Sequence, residues 1–257
     1  MTMMPGPLFG LRVPSRPAKP RTTGITAIND TGISLGELTN ILGDHADFLD
    51  IAKLGVGTAA VSPRLEEKIA LYANHKVHVY FGGTLFEKFF AQGLLSNYLQ
   101  MLQRYTVPWI EVSAGSIDIP LHERAAIVRD LCSDFTVLGE VGCKDADRIM
   151  PPSEWIHELV TLLDAGCTYV ITEGRDSGTA GIYRASGELR TGLIADVVKS
   201  LPMDRIIFEA PKTDAQMFFI QHYGPNVNFG NVSPRDLLLL ETQRLGLRCE
   251  TFSLGNA

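Results

Sequence analysis

Eight short apolar runs, each rich in β-branched or aromatic residues, recur along the 257 residues at a spacing of about 20 to 37 positions. The intervening segments carry helical periodicity, so each repeat has the length of one strand, one helix and two loops. The strands so read are Thr23–Asn29, Phe48–Leu54, His78–Gly82, Trp109–Ser113, Thr136–Val141, Tyr169–Glu173, Arg205–Glu209 and Asn226–Gly230. Helix-start signals fall in the gaps. Ser34 can cap a helix over Leu35–Leu42, Ser62-Pro63 precedes Arg64–His75, and Ser233-Pro234 follows the last strand. Eight consecutive strand–helix units favour closure into a single-domain (β/α)8 TIM barrel over 21–257, with an open doubly wound sheet as the alternative. Residues 1–20, with prolines at 5, 7, 14, 17 and 20, read as a loose Pro-rich leader.

Composition narrows the function classes. Apolar residues make up 45% and charged residues 20%, enough for a substantial core. A net charge of −6 without a long Lys/Arg run argues against nucleic acid or an anionic membrane as partner. No apolar stretch has the length of a membrane-spanning helix. Cys132, Cys143, Cys167 and Cys249 form no C-x-x-C pair, which suits reduced thiols in a cytoplasmic protein. No strand is followed by a dinucleotide or Walker glycine motif, so no nucleotide cofactor is expected. The histidines form no H-E-x-x-H pair, and no G-x-S-x-G elbow is present.

In a (β/α)8 barrel, chemistry sits at the C-terminal ends of the strands. Those ends carry Asp30, Lys53, Gly82-Gly83-Thr84, Glu111 with Ser113, Glu140 with Lys144, Glu173 with Arg175, Glu209, and Asn228 with Asn231. Four glutamates inside otherwise apolar runs each imply a partly buried charge, costly unless paired or bound to metal. Glu140, Glu173 and Glu209 would suit Mg2+, a hard cation held by oxygen. Lys53 interrupts an apolar run, which implies an ammonium tied to a carboxylate, Asp50 or Glu111, or to a substrate anion. Lys144, directly beyond the fifth strand, is placed to act as a general acid. Two glycine-rich turns suit phosphate: Gly82–Glu87, which leads into a helix, and Arg175–Gly181, which adds a guanidinium and the Ser177-Gly178-Thr179 turn.

The segments Asp47–Thr58 (DFLDIAKLGVGT), Phe81–Glu87 (FGGTLFE), Glu140–Asp145 (EVGCKD), Glu173–Tyr183 (EGRDSGTAGIY), Ile207–Pro211 (IFEAP), Val227–Asn231 (VNFGN) and Leu240–Arg248 (LETQRLGLR) together resemble the phosphosulfolactate synthase family over nearly the whole chain. The resemblance implies a Mg2+-dependent, homo-oligomeric barrel that adds sulfite to phosphoenolpyruvate at the start of one route to coenzyme M. It also implies that Lys144 is the acid. Catalytic roles are thus expected for Lys144, Lys53 and Glu111, and substrate contacts for Asp30, Arg175, Ser177, Gly178, Asn228 and Asn231. Some positions depart from the family pattern. Asp30-Thr31-Gly32 stands for D-K-G, Ser113-Ala114-Gly115 for S-D-G, Gly142-Cys143-Lys144 for G-K-K, and Glu209-Ala210-Pro211-Lys212-Thr213-Asp214-Ala215-Gln216 for E-A-P-Q-K-x-Q-Q. Another nucleophile, an elimination on a phosphoenolpyruvate-like substrate, and a non-catalytic stress-related barrel stay open as alternatives.

Overall fold

A computed structural model of the chain describes residues 8, 10–143 and 150–255. Eight parallel strands close into one barrel in sequence order. They are β1 (Thr26–Asp30), β2 (Ile51–Leu54), β3 (His78–Phe81), β4 (Trp109–Val112), β5 (Thr136–Val141), β6 (Tyr169–Thr172), β7 (Ile206–Glu209) and β8 (Asn228–Val232). Closure runs through β1 and β8, where Thr26 faces Phe229 and Ile28 faces Val232, with a register shift between the two pairs.

The helices around them are α1 (Leu35–His45), α2 (Leu65–Asn74), α3 (Gly83–Ala91), α4 (Leu95–Arg104), α5 (Leu121–Leu131), α6 (Pro152–Ala165), α7 (Thr191–Ser200), α8 (Thr213–Tyr223) and α9 (Leu237–Arg244). Ser34 caps α1 as expected, its side chain accepting from the Glu37 N–H at 3.3 Å. Ser62 does not cap α2. That helix begins at Leu65, after Arg64, and has no side-chain cap. The first strand begins at Thr26 rather than Thr23, because Gly24 has a left-handed backbone at φ +70° that ends any extended run before it. Arg205 lies in the short 3-10 turn Met203–Arg205 rather than in β7.

Strand alternation sorts the side chains into two cores. One face of each strand packs outward against the helices. The other encloses a separate inner layer of Ile25, Ala27, Ile51, Tyr80, Leu138, Tyr169, Ile171 and Ile207, with Trp109 against it. That layer is a packed plug, as small barrels require. Advancing two residues from Ala27, Ile51, Trp109, Leu138, Ile171 and Ile207 keeps the same face and moves one layer toward the strands' C-terminal ends. The residues reached are Asn29, Lys53, Glu111, Glu140, Glu173 and Glu209. The apolar plug is therefore the floor of a polar chamber.

Residues 10–20, expected as a loose leader, are fastened to the opposite end. Arg16 is buried, pairing with Glu241 at 3.0 Å and donating to Asn226 Oδ1 at 2.6 Å. The Lys19 ammonium donates to the carbonyls of Ala46 at 2.9 Å and His75 at 3.1 Å. No helix among the described residues is long and apolar enough to cross a membrane.

Candidate active site

The chamber at the C-terminal mouth has a volume of about 420 Å³, the scale of a small-metabolite pocket. Lys53, Glu111, Glu140, Glu173, Glu209, Arg175, Ser177 and Asn231 all line it. These eight come from six different strands or the loops that follow them. Their convergence follows from the parity of the alternation and the closure of the sheet.

Lys53 is paired, though not with Asp50 or Glu111. Its ammonium lies 2.7 Å from Glu209 Oε1, on the far side of the barrel. Asp50 instead pairs with Arg21 at 2.9 Å, at the lower end. Burial alone would lower the Lys53 pKa, but the charge of Glu209, together with Tyr80, Glu111 and Glu140, outweighs it and pushes the pKa well above the usual lysine value. Burial also holds the Tyr80 phenol neutral, with its pKa well above the usual value.

Glu209 Oε2 accepts from the Gly174 N–H at 2.9 Å, and Glu173 Oε1 accepts from the Arg175 N–H at 2.7 Å. Both bonds draw the start of the β6–α7 loop down onto the chamber. Gly181 completes the fit. A Cβ there would stand 1.9 Å from the Glu173 carbonyl oxygen, and its φ of +64° is strained for any side chain. Arg175 takes a left-handed backbone at φ +55° and keeps its side chain exposed at the rim.

Glu140, Glu173 and Glu209 each place one carboxylate oxygen within 4.8 Å of the others, and all three are buried. Adjacent buried carboxylates repel unless a cation lies among them. An all-oxygen set without His or Cys suits a hard divalent ion such as Mg2+. The residues present therefore fit that ion.

The structure places the remaining sequence candidates elsewhere. Asp30 is fully buried and faces outward, because its neighbour Asn29 holds the inward position. Its carboxylate takes the Lys68 ammonium at 2.8 Å, the Tyr72 hydroxyl at 2.9 Å and the N–H groups of Gly32 and Ile33. It thus ties β1 to α2 rather than lining the chamber. Asn228 sits at the start of β8, at the opposite end, accepting from the Ile25 N–H at 2.9 Å and donating to the carbonyls of Asp204 and Ile206. Gly178 packs behind the rim against the Lys212 stem. Lys144 lies outside the described residues.

Sequence reading missed Asn29, Ser116 and Asp176, all of which line the chamber. The Asn29 amide donates to Asp176 Oδ1 at 2.5 Å and so links β1 to the β6–α7 loop across the mouth. Once the closed sheet places Ala27 in the inner layer, spacing by two finds Asn29; the two loop residues carry no periodic signal.

Three of the departures from the family pattern fall outside the chamber. Thr31 lines a separate cavity of about 500 Å³ with residues of α1 and α2. Ala114 packs against the outer core, and Thr213 begins α8. None of the three is among the residues around the glutamates.

Known proteins resemble this chain in sequence and in fold. The family model described as (2R)-phospho-3-sulfolactate synthase (ComA) matches residues 14–250. The phosphosulfolactate synthase of Bacillus subtilis (strain 168) is 40% identical over 249 residues, covering 96% of this chain and 99% of that one. The phosphosulfolactate synthase of Methanothermobacter thermautotrophicus is 35% identical over 254 residues, covering 96% and 98%. Among solved structures, 3-hexulose-6-phosphate synthase from Salmonella typhimurium superposes with a TM-score of 0.53 at 15% identity, covering 86% of this chain and 99% of that one, a likeness of fold alone. With the matched region running through every strand that furnishes the chamber, this chain belongs to the phosphosulfolactate synthase family.

Proposed function

We propose that the chain adds sulfite to phosphoenolpyruvate to give 3-phosphosulfolactate, as a carbon–sulfur bond-forming enzyme of the lyase class. The observation that carries this reading is the chamber itself, where three buried carboxylates and a buried lysine share a metabolite-sized volume with an arginine at its rim. Glu140, Glu173 and Glu209 would hold Mg2+, which when bound supplies positive charge against a carboxylate or phosphate oxygen of the substrate.

The chain's own groups divide the remaining work. Arg175, exposed at the rim, can grip a phosphate by two N–H groups, and Ser177 beside it adds a hydroxyl. Lys53 is fixed as a positive charge by Glu209, so its part is electrostatic. Sulfite donates its sulfur lone pair to the methylene carbon, and the double-bond pair moves to the carbon bearing the phosphate ester, delocalised into the carboxylate. A preorganised ammonium stabilises that charge more than it stabilises the ground state. Lys144, three residues past the end of β5, is assigned the proton that this carbon then takes; the phosphate ester stays intact. The positions of Thr31, Ala114 and Thr213 outside the chamber favour sulfite over another nucleophile.

Incubation of the purified protein with phosphoenolpyruvate, Mg2+ and a panel of nucleophiles, followed by mass analysis, tests the reading. Phosphosulfolactate formed only with sulfite is the expected outcome. A different adduct, or loss of phosphate, would assign the chain to another reaction.

A further inference from the structure

The segment Phe81–Glu87 has a part beyond any phosphate grip. Its last residue, Glu87, is 1% exposed and sits one helical turn beyond Gly83 on the same face of α3. Its Oε1 accepts the Ser113 hydroxyl at 2.6 Å and the Gly115 N–H at 2.8 Å, and its Oε2 accepts the Ser116 N–H at 3.0 Å. Gly83 allows the close approach, since a Cβ there would stand 2.2 Å from Ser113 Oγ and 2.3 Å from Glu111 Oε1. One face of α3 thus presses on Glu111 with its first turn and folds the loop after β4 around a buried carboxylate with its second. Ser116, the fourth residue of that loop, lines the chamber.

We infer that Glu87 is a positioning residue for the reaction proposed above, setting the 113–116 loop so that the Ser116 hydroxyl meets an anionic oxygen of the substrate. Glu87 spends its carboxylate on the loop's backbone N–H groups, so the Ser116 amide is committed to Glu87 and the hydroxyl is the group assigned to the substrate. Three charge-assisted bonds converging on one buried group fix a loop more firmly than neutral ones.

The inference rests on the proposed reaction only in its kinetic half, and two readouts keep the halves apart. Amide hydrogen exchange reports the loop without any substrate. Glu87→Gln should lose protection at Gly115 and Ser116 while β4 and β5 keep theirs; unchanged protection in that loop would overturn the positioning role. For the kinetic half, Ser116→Ala and Glu87→Gln should each raise KM for phosphoenolpyruvate by roughly tenfold with a much smaller change in kcat. The double variant should be little worse than either one, because both remove the same contact. Additive KM effects, or a kcat loss with unchanged KM, would overturn the assignment of Ser116. If Glu87→Gln does not fold, Ser113→Ala removes one of the three bonds, leaves the carboxylate in place, and should show a weaker form of both effects. Loop deprotection in Glu87→Gln, with a parent protein that does not use phosphoenolpyruvate, would count against the proposed reaction and leave the positioning role standing.

Discussion

Both ends of the barrel bury charge, and they do so differently. At the lower end, Arg244 is fully buried, donates to the carbonyls of Val227 at 2.7 Å and Ile25 at 3.2 Å, and lies over the Phe229 ring at 4.7 Å. Around it Arg16 pairs with Glu241, and Arg21 pairs with Asp50. Positive groups there outnumber carboxylates, and strand-end carbonyls supply the balance of acceptors. At the mouth the excess is reversed. Four buried glutamates and one buried lysine surround an open volume, with the Arg175 side chain exposed above them. Buried charge that packs solidly against fixed partners closes a structure, whereas like charges arranged around space call for a ligand.

The largest expected effect is at the mouth. Lys53→Met should lower turnover by about three orders of magnitude, as expected for loss of a preorganised charge, while the protein stays folded. Steady-state kinetics beside thermal unfolding will check this, and a near-parental rate would reduce Lys53 to a structural counter-ion of Glu209. At the lower end the pattern should invert. Arg244→Met leaves several strand-end carbonyls without donors and should cost about 3 to 5 kcal/mol of stability, with the kcat of the folded fraction unchanged. Denaturant unfolding measures the first, and a specific loss of kcat would erase the contrast between the two ends.

The smallest effect concerns pH. Burial, opposed by Asp50, lowers the Lys19 pKa to about 8, below the usual lysine value of about 10.4. Between those values the unfolded chain binds the extra proton, so this group makes the folded state more stable as pH rises through the window. Relative to Lys19→Met, the parent should therefore gain stability from pH 8 toward 10, by about 1 kcal/mol once solvent screening is discounted. A difference between the two proteins that does not vary with pH would remove Lys19 from the account.

The strands and the five charges of the chamber were legible because a charge inside an apolar run is costly and so conspicuous. Asp30 was legible in the same way, yet it misleads. A strand end offers no clue to parity, and only the closed sheet shows that Asn29 faces inward and Asp30 outward. Asn228 fails for a related reason, since its run was drawn two residues early and it proved to begin β8 rather than end it. Ser116 and Asp176 reach the chamber through loops, where long-range hydrogen bonds from Glu87 and Asn29 set the path. Such bonds leave no periodic trace. Leu240–Arg248 stood out as a motif, but its purpose appeared only when Arg244 was found beneath the barrel.

The proposed reaction needs the crowded carboxylates of the mouth to hold a divalent ion beside the substrate. Crystals grown with Mn2+, an oxygen-seeking stand-in for Mg2+ with strong anomalous scattering, test it most directly. The account predicts one anomalous peak per chain bounded by Glu140, Glu173 and Glu209, and its loss in Glu140→Gln crystals. An active protein whose crystals show no peak there, or one only elsewhere, would contradict it.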